Sequence, residues 1–225
     1  MKMPLAEQLE HIKQEYPEGY DYLSSELTLP QFDENDELIT KEEQKMKVFI
    51  NPGHAPNGTP DPGACGCGLR EADVVAVVGH LVEGYLQAAG CEVKTLQSDS
   101  LYEISGAANE WGADCFVSIH CNSASVDTAR GVETYSFHGS SGGWGLNKCI
   151  QRQIVGAFEE IDDSFPNRGC RTANFHVIRE TDMPAVLVEL AFINNSQDAA
   201  LLKNNTDDFA RAIARGVTDW EREMS

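Results

Sequence analysis

The sequence predicts an α/β fold with an at least partly parallel sheet. From Met46 onward, short apolar runs of the kind found in buried strands alternate with segments of helical periodicity, which is typical of this class. A length of 225 residues with 41% apolar content allows one substantial core, so one main domain is favoured over two.

Five apolar runs predict buried strands, and a sixth, shorter run is added to them. They cover residues 47–51, 92–96, 115–120, 131–137 and 186–190, with 176–178 as the short sixth.

Four segments predict helices. Residues 71–89 place their apolar side chains on one broad helical stripe, and Gly90 follows as a suitable stop. A second helix includes residues 109–111, and a third spans 143–160. The last begins near Thr206 as the N-cap, with two aspartates in its first turn.

The first 45 residues differ from the rest in composition. Residues 4–15 predict one short helix that starts with Pro4 and stops at Pro17, and an acidic, turn-rich stretch follows. We therefore divide the chain into an acidic N-terminal extension, residues 1–45, and a main domain, residues 46–225.

Charge and composition exclude several classes of protein. The net charge of −19 argues against binding to nucleic acid or to anionic lipid. No run approaches the roughly 18 apolar residues of a membrane span, and the N-terminus lacks the apolar core of a secretion signal. The seven cysteines are odd in number and several lie in apolar runs, which predicts reduced thiols.

Three polar residues lie where strands should end or helices should begin, which is where open α/β sheets bind their ligands. They are His54 in NPGH, Glu71 in LREAD and His120 in SIHCN. Two imidazoles and one carboxylate form a known catalytic zinc set that leaves one coordination position open to water. The sequence therefore predicts a site for one Zn²⁺ ion.

Glu189 interrupts the apolar run 186–190. Burial disfavours a charged carboxylate, so an acid at this position needs a physical reason. General acid/base catalysis beside the metal is one reason, and a structural ion pair with Arg70 or Arg179 is the alternative.

Several motifs together resemble the zinc-dependent N-acetylmuramoyl-L-alanine amidases of the Amidase_3 family, over residues 46–222. They are residues 51–54, 61–68 leading into LREAD, 118–122, 131–135, 174–195 and the closing helix. The resemblance implies a mixed, mostly parallel sheet of about six strands with helices on both faces. It also implies a groove for an extended glycan and its stem peptide.

The same resemblance assigns roles to residues. The family's zinc ligands fall on His54, Glu71 and His120, and its catalytic glutamate falls on Glu189. The chain departs from the family at Ala55 and Pro56, where glycine is usual, and by cysteines 65 and 67 in the loop before Glu71. These differences are expected to reshape the rim near the metal.

Three further residues are candidates for substrate binding. Asn122 shares a strand face with His120 by alternation, whereas Cys121 should point away from the zinc. His176 and Arg179 lie in the segment that resembles the family's strand near the groove. For His176, packing behind the site is the alternative.

The implied activity is hydrolysis of the amide between N-acetylmuramic acid and L-alanine in bacterial peptidoglycan, in cell-wall lysis or remodelling. A zinc peptidase that cuts within the stem peptide and a non-catalytic peptidoglycan-binding module are the alternatives. The expected partner is peptidoglycan, without nucleic acid or membrane insertion, and a monomer is favoured. We expect synthesis in the bacterial cytoplasm without a visible signal peptide and action on the cell wall after release or export, as for a phage or prophage endolysin.

Overall fold

The computed structural model describes residues 31–32, 38–39 and 45–224, the first four by their backbone alone. The chain divides into two units, Met1–Gln44 and Lys45–Ser225. In the first unit, β1 (Gln31–Phe32) pairs with β2 (Leu38–Ile39) in antiparallel fashion. The predicted helix over residues 4–15 lies outside the described residues, and the division into an extension and a main domain at residue 45 stays a prediction.

The second unit is built on a six-stranded sheet and a small hairpin. The strands are β3 (Lys47–Pro52), β4 (Cys65–Gly66), β5 (Leu69–Arg70), β6 (Glu92–Thr95), β7 (Cys115–Asn122), β8 (Val132–Phe137), β9 (Asn167–Ala173) and β10 (Ala185–Phe192). The order in the sheet is β6-β3-β7-β10-β8-β9, while β4 and β5 form the hairpin. Only the contact between β10 and β8 is antiparallel within this sheet, so the predicted mixed, mostly parallel sheet is confirmed.

Helices cover both faces of the sheet, as predicted. They are α1 (Glu71–Ala88), α2 (Leu101–Trp111), α3 (Ser141–Glu159), α4 (His176–Arg179), α5 (Ser196–Asn204) and α6 (Thr206–Met224). Residues 56–58 add a 3₁₀ turn.

The core lies in two layers because successive strand residues point to opposite faces. One layer packs α1, α3 and α6 against the sheet through residues such as Val78, Ile150, Ile213, Val117 and Val188. The other packs α2 and α4 through Ile104, Val177, Phe49, Phe116 and Leu187. The second layer does not cover the strand ends completely, and the candidate site lies in the space beside them.

The predicted strand at residues 176–178 is wrong. These residues form the one-turn helix α4, in which Val177 and Ile178 are buried against the sheet. The sixth strand is β9, an edge strand whose sequence NRGCRTA has no apolar run, since it faces solvent along much of its length. A pattern based on buried strands therefore missed it.

Among the described residues, no helix has both the length and the apolar character needed to cross a membrane.

Candidate metal centre

Four segments bring polar side chains together near the carboxyl ends of the parallel strands. His54 follows β3 after a Pro-Gly pair, and Glu71 is the first residue of α1. His120 lies near the end of β7, and Glu189 lies beside it on β10. This arrangement confirms that the residues singled out in the sequence lie close together.

Two glycines allow the close approach of these side chains. A Cβ atom on Gly53 would lie 2.3 Å from Cε1 of His120. Gly63 has a φ of +68°, and a Cβ there would lie 2.5 Å from Cδ2 of His54 and 2.7 Å from Oε2 of Glu71. Contacts this short are not tolerated, so both positions require glycine.

The three donor residues have the geometry of a metal site. Ligand atoms of His54, Glu71 and His120 all lie within 4.8 Å of one another. Oε1 of Glu71 is 2.9 Å from Nε2 of His54 and 3.0 Å from Nδ1 of His120. Bonds of about 2.0–2.1 Å around a tetrahedral zinc ion hold ligand atoms roughly 3.3 Å apart. The donor set and its spacing therefore fit one such ion.

The carboxylate of Glu71 is fixed by the backbone as well as by the two histidines. Its Oε2 accepts a hydrogen bond from the Ala64 amide at 2.8 Å, and its Oε1 accepts one from the Cys121 amide at 2.9 Å. Burial raises the pKa of Glu71, but the hydrogen bonds from His120 and His54 outweigh it and leave the pKa well below its usual range. A carboxylate held ionised in this way is suited to bind a cation.

Asp61 orients the first histidine. Its Oδ2 lies 2.7 Å from Nδ1 of His54, and its Oδ1 accepts the Gly63 amide at 3.0 Å. Burial lowers the pKa of His54, but hydrogen bonds to Glu71 and Asp61 outweigh it and raise the pKa to about 9. A carboxylate on one ring nitrogen directs the other toward the ligand cluster, which is the usual support of a metal-binding histidine.

Glu189 stands apart because one of its oxygens is unpaired. It is the register partner of His120 on one side and of Glu133 on the other. Within residues 45–224, its enclosed Oε2 atom has no hydrogen-bond partner. Burial raises the pKa of Glu189 to about 8, and the charges of Glu71 and Glu133 add to this.

The alternative of a structural ion pair for Glu189 does not hold. Arg70 binds Asp73 at 2.7 and 2.9 Å, and Arg179 binds Glu180 at 2.5 Å. Within residues 45–224, neither guanidinium forms an ion pair with Glu189.

A cavity of about 270 Å³ opens over the cluster. Its walls combine the polar groups of the cluster with apolar side chains of α2, α4 and β10, among them Leu101, Ile104, Val177 and Leu187. A cleft with a few convergent polar groups is the usual form of a small-molecule or peptide site.

The remaining candidates lie at different places around this cavity. His176 lines it and packs against the Tyr102 ring, with centroids 4.7 Å apart. Asn122 does not line it, and its Nδ2 donates to Oε1 of Glu133 at 2.5 Å. Arg179 is likewise outside the lining and binds Glu180 and Asn174. The substrate-binding role of all three stays a prediction.

Cys121 lies in the core layer formed with α1, α3 and α6, on the opposite side of β7 from His120. This position agrees with the predicted alternation.

Sequence reasoning missed two features of the site. Asp61 lies in a loop seven residues after His54, and no periodicity marks it. Glu133 lies inside a mostly buried strand, so, like Glu189, it is an enclosed carboxylate whose position needs a physical reason. Its two arginine partners, Arg168 and Arg171, come from the unpredicted strand β9.

Comparisons with known proteins agree with this geometry. Residues 48–219 match the family profile Amidase_3, described as N-acetylmuramoyl-L-alanine amidase. The chain is 37% identical over 177 residues to the N-acetylmuramoyl-L-alanine amidase CwlM of Bacillus licheniformis, covering 76% of this chain and 65% of that protein. It is 37% identical over 178 residues to a sporulation-specific N-acetylmuramoyl-L-alanine amidase of Bacillus subtilis, with the same two coverages. The chain thus spans about two thirds of the length of these relatives.

Among solved structures, the N-acetylmuramoyl-L-alanine amidase AmiC2 of Nostoc punctiforme superposes with a TM-score of 0.72 at 31% identity. The match covers 80% of this chain and 98% of that one. With the family profile extending over most of the chain, and with the fold and the donor cluster in agreement, this protein belongs to the Amidase_3 family of N-acetylmuramoyl-L-alanine amidases.

Proposed function

We propose that this protein is a zinc-dependent amidase that hydrolyses the bond between N-acetylmuramic acid and the first L-alanine of the peptidoglycan stem peptide. The observation that carries the proposal is the convergence of His54, Glu71 and His120 beside a carboxylate oxygen of Glu189 that has no partner among the described residues. The named activity of the relatives supports the choice of substrate.

His54, Glu71 and His120 would hold one zinc ion, and Asp61 would orient His54. When bound, zinc supplies Lewis-acid activation of the scissile carbonyl and of a water molecule. The other steps belong to the side chains of the chain itself.

Glu189 is the proton carrier of the reaction. Its carboxylate accepts a proton as water adds to the lactyl carbonyl carbon, and it returns a proton to the alanine nitrogen as the carbon–nitrogen bond breaks. The products are a lactyl carboxylate and a free alanine amine. A neighbouring carboxylate and partial enclosure favour the protonated form of Glu189 that this second transfer needs.

The site of action that follows is the bacterial cell wall. A zinc peptidase would use the same donor set, because a His/Glu/His cluster does not by itself select the amide that is cut. A peptidoglycan-binding module without catalysis would need no unpaired carboxylate at Glu189.

Mass spectrometry of digested sacculi tests this function. We expect wild-type protein to release intact stem peptides with a free alanine amine and to leave glycan chains with free lactyl groups. Shortened stems still attached to sugar would indicate the peptidase, and binding without any release would indicate the non-catalytic module.

The matched variants are Glu189→Gln and Glu110→Gln. Glu110 is an exposed residue of α2, so its amide variant should cleave at the wild-type rate. Glu189→Gln should lose about 10²–10⁴-fold in rate while retaining zinc. Full activity in Glu189→Gln would remove the assigned role.

A further inference from the structure

A second buried carboxylate lies next to Glu189 and takes no part in the chemistry proposed above. Glu133 on β8 is only 3% exposed, and its Oε1 accepts the hydrogen bond from Asn122. Its Oε2 lies 3.0 Å from Nε of Arg168 and 3.0 Å from Nε of Arg171. Two guanidinium groups therefore meet one carboxylate.

This pairing leaves one positive charge in excess. One guanidinium suffices to neutralise Glu133, so the second is not required for that purpose. Arg130 does not alter the balance, because it binds Asp162 at 2.6 Å and Asp198 at 2.8 Å. Neither guanidinium pairs with Glu189 within residues 45–224, so the second one can attract a further carboxylate.

The two arginines differ in how firmly they are held. The guanidinium of Arg168 stacks over the Phe192 ring at 4.8 Å and contacts the Arg130 carbonyl at 3.5 Å. The Arg171 side chain is 48% exposed, and among residues 45–224 its terminal Nη atoms have no partner. The Nε of Arg171 is held by Glu133, while its Nη donors are open to solvent. Donors of this kind are the groups with which a guanidinium binds a carboxylate.

Sheet register places this guanidinium on the side of the sheet that carries the metal centre. Glu189 pairs with His120 and with Glu133, while Arg171 pairs with Tyr135, two residues from Glu133 on the same face. A register shift at Arg168 lets that second arginine reach the same carboxylate. Glu133 lies one strand spacing, about 4.8 Å, from Glu189.

We propose that Arg171, positioned by Glu133, binds a free carboxylate of the stem peptide. The inference rests on the proposed amidase function, since it needs the stem peptide in the groove. Arg171 lies on β9, two strands from Glu189, and its Nε reaches back to Glu133 on the strand between them. Two residues of extended chain span about 7 Å, so a carboxylate on the residue after L-alanine comes within reach of this guanidinium.

The experiment compares two synthetic muropeptides that differ only at this group, one with the carboxylate and one with the carboxamide. For wild-type protein we expect kcat/KM to be about tenfold higher with the carboxylate, as for one partly exposed hydrogen-bonded charge pair. Arg171→Gln should bring the ratio of the two substrates close to one. Arg152→Gln, on an exposed residue of α3, should keep the wild-type ratio.

Binding gives a second readout that does not depend on turnover. Calorimetry on Glu189→Gln protein should show the same tenfold preference in Kd, and adding Arg171→Gln should abolish it. Arg171→Lys keeps the charge but not the planar fork, so we expect an intermediate ratio. This variant also tests the proposal if the glutamine variant does not fold.

A wild-type ratio near one, or a preference that survives Arg171→Gln, would overturn the carboxylate subsite. Cleavage at another bond would instead contradict the proposed amidase function, and the Kd ratio would then still decide on the subsite.

Discussion

Glu71 and Glu133 are both 3% exposed, and both accept hydrogen bonds at each oxygen, yet they are partnered by different chemistry. The side-chain partners of Glu71 are imidazoles. An imidazole that has released a proton has a nitrogen lone pair that can bind a cation. The side-chain partners of Glu133 are two guanidiniums, which keep their proton and charge, and the amide of Asn122. The same buried side chain therefore builds a metal site in one region and an anion-facing ion pair in the other.

Glu189 lies between these regions and shares neither set of partners. Its neighbours in register are His120 from the first region and Glu133 from the second. The oxygen left unpaired is consistent with a group that exchanges protons with substrate rather than one that stabilises the fold. If the two regions are as distinct as their partners imply, substitutions in one region should leave the other unchanged.

Glu71→Ala should have the largest effect. It removes one of three donors and also leaves the Ala64 and Cys121 amides without their acceptor. We expect loss of stoichiometric zinc and a fall in amidase rate on the order of a thousandfold. Metal analysis after dialysis measures the first, and muropeptide release measures the second. Zinc retained at wild-type level would contradict the ligand assignment.

Asp61→Asn should have the second-largest effect, because Asp61 orients the ligand His54 but does not itself bind the metal. Asn keeps the shape but not the charge beside Nδ1 of His54, so zinc affinity should fall about 10–100-fold. Competition with a chelator gives the affinity. Asp73→Asn, at an exposed residue that binds Arg70, is the matched control and should leave zinc affinity unchanged.

Gly63→Ala tests the close packing of the backbone against His54 and Glu71. Gly63 and Gly139 both have positive φ, at +68° and +80°, but only at Gly63 would a Cβ meet other side chains. Both alanine variants should lose about 1–2 kcal/mol of unfolding free energy from the backbone conformation. Only Gly63→Ala should also bind zinc more weakly. Equal zinc affinity in the two variants would show that the close contacts are relaxed without cost.

Glu133→Ala should have the smallest effect and should spare the metal. Arg168 and Arg171 are partly exposed and can be hydrated, so the free energy of unfolding should fall by only about 1–2 kcal/mol. Urea denaturation measures this loss, and metal analysis should give wild-type zinc content. Loss of zinc in this variant would show that the Glu133 region and the metal site form one functional unit.

Sequence patterns predicted those strands whose side chains are buried in the core. The five apolar runs became β3, β6, β7, β8 and β10, with their ends moved by at most two residues. The edge strand β9 was missed because its exposed face needs no apolar residues. Helix α4 was taken for a strand because three residues are too few to distinguish the two periods.

For the site, the donor types and their position beyond strand ends predicted the cluster of His54, Glu71 and His120. The supporting contacts could not be predicted in the same way. Asp61 reaches His54 through the path of a loop, and Arg171 reaches Glu133 through a strand pairing. Such partners depend on tertiary geometry, which neither spacing nor hydropathy encodes.

Anomalous X-ray diffraction at the zinc edge, on crystals grown without added metal and then soaked in zinc, tests whether His54, Glu71 and His120 bind one zinc ion. We expect one strong peak within about 2.3 Å of Nε2 of His54, a carboxylate oxygen of Glu71 and Nδ1 of His120. No peak at these three residues, or a peak held by Cys65 and Cys67 in its place, would contradict it.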